Sequence, residues 1–311
     1  MQQVLNEFIG KYKDLVDKEI AEELERRLVE VKAISPHLVK IVVAMKELSV
    51  SGKRMRAMLT ILGYEIGSEK GEVKSEIIKA AAMMEIFHLG LLIQDDFMDN
   101  DTLRRGVKTM LARYDDRHTA NFVSMLAGDY TFGWGIEIIS NLKFSNSQIV
   151  AAMKVWGRYF TRVGYGQTLD GLAIADEATI QQILEMKSGE YSCVLPLLLG
   201  ATLGGAKPEM IESLKKYGME LGYVFQLRDD WLGEYGDSDK TGKPVGNDSR
   251  EGKHTYATMN GKDETEAAIK EHMIEAKSQI INSLPAQAGQ ILKYEIDVME
   301  ELVTWMGTRE S

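Results

Sequence analysis

Two acidic clusters, far apart in the chain, are the residues best suited to chemistry. The first is Gln94-Asp95-Asp96-Phe97-Met98-Asp99, followed by Asn100-Asp101-Thr102-Leu103-Arg104-Arg105-Gly106. The second is Gln226-Leu227-Arg228-Asp229-Asp230, followed from Asp237 by a polar loop containing Thr241-Gly242-Lys243-Pro244. Each closes an apolar stretch of helical period. Residues four apart share a helix face, so Asp95 and Asp99 point the same way, and like charges at that spacing destabilise a helix. Carboxylates stacked twice, each time just upstream of Arg or Lys, suit the holding of cations against a phosphate. Oxygen-only ligands fit Mg2+, which keeps waters and binds through one or two carboxylates plus substrate phosphate. The plainer reading of Asp95, Asp96 and Asp99, a solvated helix end, sits poorly with the apolar run before them and the cations after them. Arg104 and Arg105 offer planar forks of donors for phosphate oxygens, and they also neutralise the cluster.

The elements that must carry these clusters read as helices throughout. Leu5, Phe8, Ile9, Tyr12 and Val16 share one face of a first helix. Further helices are expected over 38–48, 55–66, 73–99, 122–142, 149–173, 180–191, 194–203, 210–234, 267–284 and 291–306. The stretch from Ile77 to Ile93 is nearly all apolar and should be buried all round. No stretch alternates as a strand would, and no period of 20–50 residues repeats. The expected class is all-α, a bundle of about ten or more helices in one domain spanning 1–311. Facing helices of such a bundle are a familiar place for metal sites, and would bring both clusters to one end.

Composition narrows the function. The chain has 311 residues, 44% of them hydrophobic, with 5 Pro and no Ser/Gly-rich linker. A net charge of −10 argues against a nucleic-acid surface. Cys193 is the only cysteine, which excludes a disulfide within the chain and suits a reducing compartment. It reads as a small core residue rather than a nucleophile. The beginning of the sequence lacks the pattern of a signal peptide, and no apolar run reaches the ~18 residues of a membrane span. A cytoplasmic protein is expected.

Other segments are weaker signals. Ser51-Gly52-Lys53-Arg54-Met55-Arg56 begins a helix, where free N–H groups favour an anion, and Lys53 and Arg56 add charge. The 237–253 loop matches several positions of a calcium-binding loop, but has Asp248 where Glu is needed and Pro244 where an apolar residue is needed. Gly242-Lys243 is no phosphate-binding P-loop, because Pro244 stands where Ser or Thr belongs. A polar lid with Lys243 and Lys253 as phosphate contacts fits better. His88, in an apolar run, reads by pattern alone as a core residue. Gln167 and Asp170 are either a buried polar pair or further ligands, and Lys187-Ser188-Gly189 is equally ambiguous.

Together these residues resemble the trans-prenyltransferases, the polyprenyl synthetase family that joins isoprenoid diphosphates head to tail. The resemblance runs from Gly52 to about Lys253. It rests on Gly52-Lys53-Arg54-x-Arg56, then Asp95-Asp96-x-x-Asp99 with Arg104-Arg105-Gly106. It continues with Phe225-Gln226-x-Arg228-Asp229-Asp230 and Thr241-Gly242-Lys243-Pro244-Val245-Gly246. It implies that Asp95 and Asp99 bind two Mg2+ ions and Asp229 a third, with Asp230 supporting, and Asp96 is counted with them among the metal-binding aspartates. It implies that Arg104, Lys187 and Lys243 hold the allylic diphosphate, and that Gly52, Lys53, Arg56, His88 and Arg105 hold isopentenyl diphosphate. Ser188 and Gln226 match positions that steady a carbocation through oxygen atoms, and Gln167 and Asp170 match a Gly-Gln-x-x-Asp helix. A homodimer is implied as well. The chain departs from the pattern at Gln94, where many members have His, at Ala57, where Pro is common, and at Ser188, where Thr is common. Gly233 also stands at the end of the second motif, which puts a third carboxylate there in doubt.

In this family, bulk four or five residues before the first aspartate stops chain growth early. Leu91 and Gly90 occupy those positions here, and neither is aromatic. Phe87 lies one turn further down, about 4.5 Å at 1.5 Å per residue. The expectation is a floor near Phe87 and a C20 product, with C25 as the alternative. Two other functions compete. A class I terpene cyclase shares fold and metals but carries one Asp-rich motif and a different second site. A regulatory subunit of a heteromeric prenyltransferase typically lacks the aspartates that this chain keeps.

Overall fold

The computed structural model describes residues 2–68, 73–237, 246, 254–283 and 291–310. Lys243 and Lys253, with most of the loop between Asp237 and His254, lie outside the described residues. The chain forms two compact units. One comprises 10–61 and 73–149 and carries the first aspartate motif; the other comprises 1–9, 62–72 and 150–311 and carries the second. From the sequence, which has no Ser/Gly-rich linker, one domain over 1–311 is expected. Three of the four unit boundaries fall within helices, α1 (Gln3–Ile34), α3 (Met55–Gly67) and α6 (Asn146–Gly171).

In the first-motif unit, α2 (Pro36–Ser49) begins with Pro36 in the first turn and Ser35 capping it, its side chain accepting from the His37 N–H. α4 (Ser75–Met98) packs along α5 (Arg117–Asn141). As its composition implies, α4 is buried on every side, with Ile77, Ala80, Met84, Phe87 and Ile93 all nearly inaccessible. α1 runs much further than its first apolar face suggested. Arg27 within it is buried against Trp134, with its guanidinium carbon 5.2 Å from the ring centroid, and is held by Glu23 and Glu137 at 2.7 Å each.

After α4 the chain makes a small hairpin that the sequence reading did not foresee. Strands β1 (Leu103–Arg104) and β2 (Val107–Lys108) pair antiparallel around Arg105 and Gly106. Both turn residues are left-handed, with φ 52° and 79°. Two-residue hairpin turns favour that backbone, and glycine supplies it without strain. At two residues per strand, the alternation is too short to register as a pattern.

The second-motif unit is organised around α9 (Pro208–Tyr235), against which α11 (Lys262–Ser283) and α12 (Ile291–Thr308) pack. α10 (Tyr256–Asn260) is a short turn closed by a Thr255–Thr258 capping box. The sequence suggested a break between Tyr191 and Val194. Instead, α7 (Glu177–Ile183) continues through a π-helical segment (Leu184–Val194) into α8 (Leu195–Gly204). The wider winding carries Lys187 and Ser188, and π segments concentrate at functional sites. Cys193 is buried there, as expected of a core residue. Among the described residues, no helix is long and apolar enough to cross a membrane.

Candidate active site

The first motif lies on the last turn of α4. Asp95 and Asp99 are one turn apart, the Asp99 N–H donating to the Asp95 carbonyl at 2.8 Å. Asp99 is exposed and Asp95 partly so. The negative end of the helix dipole adds to their field and favours a cation. Asn100, at φ 61°, then ends the helix. Asp96 does not join the other two. It is 1% exposed and accepts from Arg104 Nε at 2.6 Å, while Arg104 Nη2 lies 3.6 Å from Asp95. Burial pushes its carboxyl up to about 6, against the pull of Arg104. Its second oxygen, Oδ2, has no hydrogen-bond partner. This placement makes Asp96 the anchor of Arg104.

A basic nest adjoins the motif. His88 is partly buried, and its pKa falls well below the usual value, first through burial and then through Arg56, Arg105, Arg104 and Arg54. The four guanidiniums favour the neutral imidazole. Arg105 is under the same pressure: burial lowers its pKa, and Arg104 and Arg54 lower it further. A small pocket opens here, lined in part by Ser51, Leu89, Asp96, Arg104 and Arg105.

The nest is built by local contacts. The hairpin turn aims Arg105 so that its Nη1 donates to the Ser51 carbonyl at 2.6 Å. Gly52 lies against the Arg54 and Arg105 guanidiniums, which a Cβ would meet at 3.2 and 3.5 Å. Arg54 is buried and bonds Asp17 and the Ser49 carbonyl, each at 2.6 Å. It therefore braces the loop, whereas Lys53 is exposed and Arg56 partly so. Two of the sequence departures find a physical account here. Ala57 donates its N–H to buried Glu85 at 3.0 Å, a bond proline could not make. Gln94 donates to Asp129 at 3.0 Å.

In the other unit, the π segment and α9 assemble a polar chain. Ser188 Oγ donates to Gln226 Oε1 at 2.6 Å, and Gln226 Nε2 donates to Asp230 Oδ1 at 2.7 Å. Asp230 is buried, so it supports Gln226, while Asp229 is 43% exposed at its side chain. Lys187 Nζ bonds Asp170 at 2.5 Å. Asp170 is exposed, so the buried pair with Gln167 considered for it does not form. Gly166 lets α6 approach the backbone at Lys187, where a Cβ would come within 2.8 Å of the Lys187 nitrogen.

One residue escaped the sequence reading altogether: Arg309, just past α12, pairs with Asp229. Eighty residues separate them, and no motif surrounds Arg309. Among the described residues, no three of His, Cys, Asp or Glu gather closely enough to complete a metal shell. That suits an ion whose remaining ligands are water and substrate oxygens. Asp95 and Asp99 in one unit, and Asp229 in the other, each offer carboxylate oxygens only, which fit a hard cation such as Mg2+.

The polyprenyl synthetase family model matches residues 40–291. A short chain isoprenyl diphosphate synthase of Methanocaldococcus jannaschii is 31% identical over 288 residues, covering 91% of this chain and 84% of that protein. A geranylgeranyl diphosphate synthase of Saccharolobus solfataricus is 31% identical over 218 residues, covering 68% and 63%. The structure of a geranylgeranyl pyrophosphate synthase from Corynebacterium glutamicum, solved with isoprenyl diphosphate and magnesium, superposes with a TM-score of 0.84. It is 23% identical and covers 96% of this chain and 99% of that one. That likeness shows the all-α isoprenoid synthase fold. With the aspartate motifs, the arginine nest and this match over most of its length, the chain belongs to the polyprenyl synthetase family of prenyltransferases.

Proposed function

We propose that this prenyltransferase condenses isopentenyl diphosphate with an allylic diphosphate, in a Mg2+-dependent reaction, to a C20 all-trans product. The observation that carries this reading is the juxtaposition in one unit of Asp95 and Asp99 with His88 and its four arginines. A carboxylate pair beside a cluster of guanidiniums is what a metal-bound diphosphate and a second, arginine-bound diphosphate require.

Asp95 and Asp99 would hold two ions and Asp229 a third. Bound Mg2+ supplies charge neutralisation for the departing diphosphate. Arg104, set by Asp96, and Lys187, set by Asp170, orient the allylic diphosphate, with Lys243 and Lys253 as further phosphate contacts. Gly52, Lys53, Arg56, His88 and Arg105 take the isopentenyl diphosphate. Neutral His88 donates one N–H without adding charge. As the allylic C–O bond breaks, the Ser188 and Gln226 oxygens face the developing cation and steady it electrostatically. The isopentenyl double bond then forms the new C–C bond, and the proton lost passes to the released diphosphate.

Product length follows from the apolar α4 below Asp95. Gly90 and Leu91 carry no aromatic bulk, Gly90 packing against Thr131 of α5, and Phe87, which meets Phe132 edge to face at 5.4 Å, would be the floor one turn lower. A homodimer is supported by an exposed apolar stripe on α5, where Phe122, Met125 and Ile136 are each about half exposed. The cytoplasm suits a chain whose single cysteine is buried.

The test is product analysis by mass spectrometry with Mg2+, isopentenyl diphosphate and, separately, C5, C10 and C15 allylic diphosphates. Chain extension ending at C20 is expected. A cyclic hydrocarbon from one allylic substrate alone would overturn the transferase reading.

A further inference from the structure

Asp229 is not waiting in solvent. Arg309 Nη2 donates to its Oδ1 and also to the Phe225 carbonyl, at 3.2 Å for the latter. The Arg309 guanidinium carbon lies 4.8 Å from the Phe225 ring centroid. Arg228 Nε donates back to the Arg309 carbonyl at 2.8 Å. The Arg309 side chain is only 10% exposed, against 43% for Asp229. Its Nε is buried with no hydrogen-bond partner. A desolvated guanidinium is costly unless a carboxylate faces it, so this is no loose surface pair.

A carboxylate can serve a buried arginine or a divalent cation well, but both at once place like charges in contact. We propose that Arg309 is the internal counter-ion of the second aspartate motif, bound to Asp229 when no divalent cation is present and displaced when one binds. Loading of the motif is thereby coupled to release of the segment that follows α12. The inference rests on the reading of Asp229 as a metal ligand.

The test is Mn2+ binding to the full chain in the presence of inorganic pyrophosphate, followed by electron paramagnetic resonance. Arg309→Gln should bind Mn2+ about tenfold more tightly than wild type, since a competing cation is gone. Arg309→Lys, which keeps the charge, should stay near wild type. Asp229→Asn should bind more weakly. Hydrogen exchange on the wild type supplies an independent readout: amides of 305–310 should exchange faster with Mn2+ and pyrophosphate, and not do so in Asp229→Asn. If Asp229→Asn loses affinity while Arg309→Gln is unchanged or weaker, Arg309 is not a competitor and the metal reading stands. If Asp229→Asn binds as the wild type does, Asp229 is no ligand and the inference falls with it.

Discussion

Gly222 of α9 packs backbone to backbone on Gly189 of the π segment, so closely that a Cβ on Gly222 would overlap the Gly189 Cα. The contact sets the depth at which Ser188 meets Gln226, one turn further along α9. Two helical backbones can approach this far only where neither carries a side chain.

Gly222→Ala should therefore force the two segments apart. We expect a loss of about 1–3 kcal/mol in stability, as for other overpacked cores. A fall in kcat should exceed any rise in KM, because the Ser188–Gln226 pair loses register. Urea denaturation and steady-state kinetics would measure both, and an unaltered kcat would show the register to be unimportant.

The charge of Asp96 should leave a mark on the pH dependence of stability. Its folded pKa of about 6 lies above the ordinary carboxylate value, so the folded state holds the proton more tightly than the unfolded state does. Its contribution thus declines as pH rises from about 4 to 6 and then stays level, for a total of about 3 kcal/mol. Asp96→Asn should lack that decline, whatever its absolute stability. Urea midpoints for both proteins across pH 4–7, without metal, would reveal it; parallel profiles would contradict the assignment.

Phe87→Ala should open the channel floor and lengthen the product by one or more C5 units beyond C20. The substitution also empties a fully buried site, at a cost of about 3–5 kcal/mol, so products are best compared at low temperature. A product length unchanged from wild type would remove Phe87 as the floor.

Lys187→Gln should raise KM for the allylic diphosphate roughly 10- to 100-fold, the loss of one charge-assisted bond to phosphate. Asp170→Asn should have a smaller effect, of a few-fold, since Asp170 is exposed and only orients the lysine. Equal effects on the KM of isopentenyl diphosphate would place Lys187 between the two substrates instead.

Removing metal with EDTA should abolish condensation, and added Mg2+ should restore it. Asp95→Asn and Asp99→Asn should each lower kcat by about two to three orders of magnitude, in line with a lost electrostatic contact to the leaving group. Circular dichroism would confirm that the helices remain. Full activity in EDTA would rule out the metal-dependent mechanism.

What the sequence determined by itself was whatever depends on neighbours within a helical turn or two. Asp95 and Asp99 share a face because 3.6 residues make a turn, and α4 is buried all round because its composition allows no polar side. Tertiary structure decided the rest. Asp96 carries the same side chain as Asp95, yet one step around the helix turns it inward onto Arg104. His88 looked like core until Arg54, Arg56, Arg104 and Arg105, from two other segments, closed around it. Gly189 of the π segment meets Gly222 of α9, a contact no local propensity encodes. Arg309 and Asp229 find each other across 80 residues of chain. Periodicity and motif spacing report on covalent neighbours; a charge partner supplied by a distant segment has no period, and only the folded chain brings it into place.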